Sequence, residues 1–129
     1  MSTRSRIAMQ LEHSDAQGSA SAAGGRMPKA ASYRSIYCHF DGDQVGQILR
    51  QYFSSENDAR AIINLGDISG IDKDGARAYK DMGDPWSRVR PKHSADLTAL
   101  LNLAYDTDAE FLHYWQEGQW HTLQMSGPR

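Results

Sequence analysis

The chain has 129 residues, with 14 Lys and Arg against 16 Asp and Glu, a formal net charge of −2, five histidines and one cysteine. That length supplies one modest core and a single domain over 1–129. The balanced charge lacks the basic footprint that holds duplex nucleic acid by counterion release. No apolar run approaches the roughly 18 residues that span a bilayer, so no membrane partner is expected and the default compartment is a cytosol. A lone cysteine, Cys38, excludes an intrachain disulfide and a multi-cysteine metal site.

In chain order, residues 1–11 read as a first strand, because Ser5, Ile7, Met9 and Leu11 alternate with Arg4, Arg6, Ala8 and Gln10. Residues 12–32 are mostly Ala, Gly and Ser without periodic apolar positions. Such a segment buries too little surface to offset its ordering entropy, and it is expected to be a long flexible inserted loop. An alternative makes everything before Tyr33 a disordered tail, with Met27 as a second start; the clean alternation of Ser5–Leu11 favours a hairpin.

The main body, 33–124, opens with YRSIYCHFDGD. Tyr33, Ser35, Tyr37 and His39 share one side of an extended strand, and Arg34, Ile36, Cys38 and Phe40 the other. Asp41-Gly42-Asp43 is turn chemistry. From Gln44 to Phe53, Val45, Ile48, Leu49 and Tyr52 have the spacing of a short amphipathic helix, weakened by Gly46 by about 1 kcal/mol relative to Ala. Ser54 or Ser55 caps a second helix with Ala59, Ile62, Ile63 and Leu65 as its buried side, and Gly66 ends it. The segment from Asp67 to Gly75 reads as loop, Ala76 to Asp81 as a short strand carrying Tyr79, and Trp86 to His93 as a basic linker. Ser94 caps a helix from Ala95 to about Tyr105 with a stripe of Leu97, Leu100, Leu101 and Ala104. Ala109 to Gln116, a Glu117-Gly118 turn and Gln119 to Gln124 form a hairpin, with Phe111, His113 and Trp115 on one face and Leu112 and Tyr114 on the other. Residues 125–129 are expected to fray. The fold class is α+β: one twisted antiparallel or mixed sheet of about five strands with about three helices packed on one face.

The blocks SIYCHFDGD, VGQILRQYF, INLGDIS, AYKDMGD and DAEFLHYWQEGQW, in this order, resemble a family of small, mostly uncharacterised tailed-phage and prophage proteins; the opening STRSRIAMQL is similar to that family's first strand. Two departures stand out. Asp43-Gln44 replaces an aromatic-Pro pair after Asp-Gly, and about twenty residues replace a short turn between the first two strands. The resemblance implies a phage or prophage accessory protein acting in the host bacterial cytoplasm, and it brings no catalytic residues.

The expected function is therefore binding: an anti-CRISPR-type inhibitor of a host immune protein complex. The alternative is a sponge that sequesters a nucleotide-derived immune signal, and a homodimer suits such a sponge. A small hydrolase using His39 and Asp41, or a virion component, are the rival classes. Arg4 and Arg6, where the first strand pairs with the central one, sit beside Tyr37 and His39 or beside their opposite face; together with Tyr79 and Ser69 they are candidates for a phosphate or small nucleotide, since Arg gives bidentate contacts and Tyr a stacking platform, and a solvated sheet edge is the bland reading. Trp86, Arg88 and Arg90, with Lys92, suit an acidic protein surface or a nucleic acid backbone, or simply line a loop. Asp67, Asp72 and Asp74 read as phosphate mimicry or as a solvated acidic face. His39, Asp41 and Asp43 suit an oxygen and imidazole metal site only if His113 or His121 of the hairpin joins them, and otherwise read as a strand-end histidine with two turn-forming aspartates; Cys38 and His39 point to opposite faces and cannot pair, and no motif calls for a cofactor. Trp115 and Trp120 are expected as a cross-strand pair.

Overall fold

The computed structural model describes residues 3–11 and 31–125. The expected loop over 12–32, apart from its last two residues, and the tail beyond Met125 lie outside them. Strands β1 (Ser5–Leu11), β2 (Ser32–Cys38), β3 (Ile68–Asp72), β4 (Gly75–Ala78), β5 (Lys92–Ser94), β6 (Phe111–Gln116) and β7 (Gln119–Gln124) form one mixed sheet. Its order is β4-β3-β2-β1-β6-β7, with β5 also paired to β2. Helices α1 (Gly42–Tyr52), α2 (Glu56–Ile63), α3 (Trp86–Val89) and α4 (Leu97–Asp106) complete the described residues.

The α+β class and the mixed sheet agree with the sequence reading, as does the pairing of β1 with β2, which runs antiparallel from Ser5 opposite Cys38 to Leu11 opposite Ser32. Seven strands and four helices replace the five and three expected. The helices also cover both faces, not one. Odd positions of β1 and even positions of β2 (Ile7, Met9, Ile36, Cys38) pack with Val45 and Leu49 of α1 and Ala59, Ile62 and Ile63 of α2. Ala8, Tyr33 and Leu112, on the reverse face, pack with Leu100 of α4. Each fully buried aliphatic side chain contributes about 1.5–3 kcal/mol.

The missed elements are short ones. Asp67–Gly75 contains β3, whose Ile68, Ser69, Gly70 and Ile71 are all buried. Gly70 lies beneath Arg77, so an added Cβ would meet the guanidinium at 2.5 Å. β4 stops at Ala78, and Tyr79 belongs to a 3-10 turn, Tyr79–Met82, rather than to a strand. The stretch read as a linker contains α3 and β5. Asp96, not Ser94, caps α4 by accepting the Ala99 N–H at 2.8 Å.

Other expectations hold in detail. Ser55 caps α2 by accepting the Asp58 N–H. Glu117 (φ 55°) and Gly118 (φ 80°) make the two-residue turn of the β6–β7 hairpin. Trp115 faces Trp120 across it, edge to face at 5.5 Å. Met125, the first residue of the expected tail, donates its N–H to the Glu110 carbonyl at 2.9 Å.

Candidate ligand-binding site

The candidate site arises from a split in the sheet. Along one edge, β2 pairs with β5 over Tyr33–Ser35 and with β3 only at Cys38. Tyr37 falls between the two, and its N–H is taken up by the Asp67 carboxylate at 2.9 Å instead of by a strand carbonyl. The register then sets Arg6 of β1 directly beside Tyr37, and Lys92 of β5 beside Ser35. A cavity of about 430 Å³ opens here, on the α4 face, lined by Arg4, Arg6, Tyr37, Asp67, Lys92, Leu103, Thr107 and Asp108.

Arg6 is the unusual member. It is 1 % exposed, its Nε donates to Ser35 Oγ at 2.8 Å, and no ion pair within 4.0 Å involves it among the described residues. Burial lowers its pKa to about 10, partly offset by the field of Asp67, so it remains a cation at neutral pH. A buried charge without a close counter-ion costs several kcal/mol unless something else compensates it.

The surrounding groups are held in place. Burial raises the Asp67 pKa, opposed by the Tyr37 N–H, Arg6 and Lys92. Arg4 pairs with Asp108 at 3.7 Å, and its Nε is buried with no partner among the described residues. Burial also raises the Tyr37 phenol, opposed by Arg4. Its hydroxyl and His39 Nδ1 are 2.7 Å apart. Three cations thus face two carboxylates around one cavity, an arrangement that attracts an anionic group and leaves Asp67 free to accept a hydrogen bond.

A second cavity of about 390 Å³ shares Lys92 and Leu103 with the first and continues past His93, Ser94, Asn102 and Asp106. Together they form a groove between β5 and α4.

Of the residues singled out from sequence, Arg4, Arg6 and Tyr37 meet at the cavity, and His39 adjoins through Tyr37. Tyr79 lies behind Asp67, its N–H donating to the Asp67 carbonyl at 3.1 Å, and Ser69 is buried on β3. Asp41 lies at the start of α1 in a left-handed conformation, φ 58°. Trp86, Arg88 and Arg90 do not line the cavity. The Trp86 ring rests against Gly66, where an added Cβ would meet it at 2.8 Å, and Lys80 Nζ lies 5.8 Å from the ring centre. Arg88 pairs with Asp84 at 3.5 Å. Asp72 caps the β3–β4 turn by accepting the Asp74 N–H and pairs with Arg77. Asp72 does not line the cavity that Asp67 lines. Cys38 is buried, its thiol pushed up to about 11 by burial, so it is not a ready thiolate.

Lys92 as a cavity wall and Asp67 as a cavity carboxylate carry no signal of that role in the sequence, because only the pairing of β5 and β3 with β2 brings them to Tyr37. Among the described residues, no group of three or more His, Cys, Asp or Glu is placed to hold a metal ion, and no helix is long and apolar enough to cross a membrane. Compared with protein-family models, curated proteins and solved structures, the chain matches none of them.

Proposed function

We propose that the protein is a non-catalytic accessory protein of phage or prophage origin that sequesters a small nucleotide-derived signal of a bacterial defence pathway. The observation that carries this reading is the buried Arg6 guanidinium, without a close ion pair, at the wall of a cavity that Arg4 and Lys92 also line. A phosphate seated there supplies the missing counter-charge. Arg offers it two parallel N–H donors, which a solvated lysine does not. Asp67 accepts from a sugar hydroxyl or a base amino group. The extension of the groove along His93 and Asn102 gives a nucleoside more room than phosphate alone requires.

One further observation favours the inhibitor reading as the second choice. Met82 and Trp86 are large apolar side chains, 55 % and 45 % exposed, beside the cations Lys80, Arg88 and Arg90, a combination that suits an acidic patch on a host immune complex.

The two readings separate in one experiment. The tagged protein is captured from lysate of a bacterium whose defence system has been triggered, and the eluate is analysed for small molecules and proteins by mass spectrometry. A nucleotide released at near one equivalent supports sequestration. A stoichiometric immune-complex subunit with no released nucleotide overturns it in favour of inhibition.

A further inference from the structure

The wall of the larger cavity is rich in donors and poor in open acceptors. Arg4, Arg6 and Lys92 can only donate. The Tyr37 hydroxyl lies 2.7 Å from His39 Nδ1, the Thr107 hydroxyl donates to the Leu103 and Ala104 carbonyls at 3.1 Å, and Asp108 pairs with Arg4 at 3.7 Å.

Asp67 is different. The carboxylate is half-buried, and its Oδ1 accepts the Tyr37 N–H at 2.9 Å. Its Oδ2 takes no hydrogen bond from the described residues. A carboxylate accepts up to about four hydrogen bonds, so most of the capacity of this one is unspent. An amide would serve the Tyr37 N–H as well, and the fold alone does not call for the second oxygen.

Position decides what that oxygen meets. Arg6 and Lys92 both act on Asp67 through their charges, so a phosphate seated against these cations brings the next group of its own molecule against Asp67. In a nucleotide that group is the sugar, which lies between phosphate and base. The base follows the groove from Lys92 and Leu103 past Ser94 and Ala99, along a wall that does not include Asp67.

We infer that the site takes a ribonucleotide and that Asp67 is its specificity-determining residue, accepting a ribose 2′- or 3′-hydroxyl through Oδ2; the inference rests on the nucleotide reading of this cavity. A deoxyribose in the same place leaves that oxygen unpaired, and a site built to bond a hydroxyl rejects the analogue that lacks it. A base amino group, the other donor that a nucleotide offers, lies beyond the sugar in the second cavity.

Isothermal titration of the four ribonucleoside 5′-monophosphates, followed by the 2′-deoxy and 3′-deoxy forms of the one that binds tightest, tests this. Wild type is expected to lose at least about tenfold in affinity when one of the two hydroxyls is removed. Asp67→Ala removes the acceptor and is expected to bind the ribo and deoxy forms within about threefold of one another; a purely structural role for Asp67 would weaken all three alike and leave their ratio unchanged. Asp67→Asn keeps an oxygen for the Tyr37 N–H and replaces Asp67→Ala if that variant does not fold, its discrimination falling in the same sense because the charge-assisted bond is lost. Wild type that binds ribo and deoxy forms alike, or a variant that keeps the wild-type discrimination, overturns the inference and leaves the nucleotide reading standing. Absence of binding of any of the four by wild type overturns both.

Discussion

His113 makes the fold sensitive to acid. It is 1 % exposed on β6, and its two ring nitrogens are committed to different roles. Nε2 lies 3.0 Å from the Gly42 carbonyl of α1, which can only accept, so Nε2 carries the proton. Nδ1 therefore accepts from the Thr122 hydroxyl at 2.9 Å, and Thr122 in turn accepts from Arg50 at 3.1 Å. Protonating Nδ1 breaks that chain and buries a charge.

Burial accordingly lowers the His113 pKa from 6.5 to about 4. Between these values the unfolded chain binds one more proton than the folded one, so stability is lost as the pH falls from 6.5 toward 4. At pH 5 the interval of about 1.5 pH units corresponds to about 2 kcal/mol. Asp67, whose pKa is raised by burial, acts in the opposite sense: its contribution is present below its unfolded value of 3.8 and is lost as the pH rises through the folded value.

Urea unfolding of wild type and His113→Gln at pH 7 and pH 5 separates the two groups, because Asp67 is common to both proteins. The wild-type midpoint is expected to fall by roughly 1 M more than that of the variant. Equal shifts in the two proteins would refute the assignment of the acid response to His113.

Gly46→Ala should destabilise the protein by about 1–2 kcal/mol in urea unfolding, although Ala is the better helix former. The new Cβ would lie 2.9 Å from Thr122 Oγ1 and 3.0 Å from the His113 ring; a stabilised variant would contradict this packing. Cys38 should react with a thiol reagent at the global unfolding rate, since it is fully buried with a raised pKa. Fast labelling in native buffer would disprove that. Arg6→Met should leave the stability within about 1 kcal/mol, because the loss of the Ser35 bond is offset by relief of a buried charge. A much larger loss would mean that Arg6 serves the fold rather than a ligand.

The elements legible in the sequence were those with long, clean periods. The alternation of Ser5–Leu11 and Tyr33–Cys38, the stripe Val45-Leu49 and the Glu117-Gly118 turn each carried enough local signal. β3 did not, because Ile68-Ser69-Gly70-Ile71 is buried at every position and flanked by Asp and Gly, which is also how a loop reads. β5 is three residues whose only signal is its partner, β2. The site was half legible for the same reason. Arg4, Arg6 and Tyr37 follow from the β1–β2 hairpin, whereas Asp67 and Lys92 reach the cavity through β3 and β5. His113 gave no signal of its own, since the carbonyl it meets lies 71 residues away in sequence.

The most direct test of the proposed function is isothermal titration of a mononucleotide, and of the matching nucleoside, into wild type and Arg6→Met at low and moderate salt. The nucleotide is expected to bind wild type with salt-sensitive affinity, the nucleoside far more weakly, and Arg6→Met to abolish the difference. Equal affinity for nucleotide and nucleoside, or nucleotide binding that survives in Arg6→Met, would contradict it.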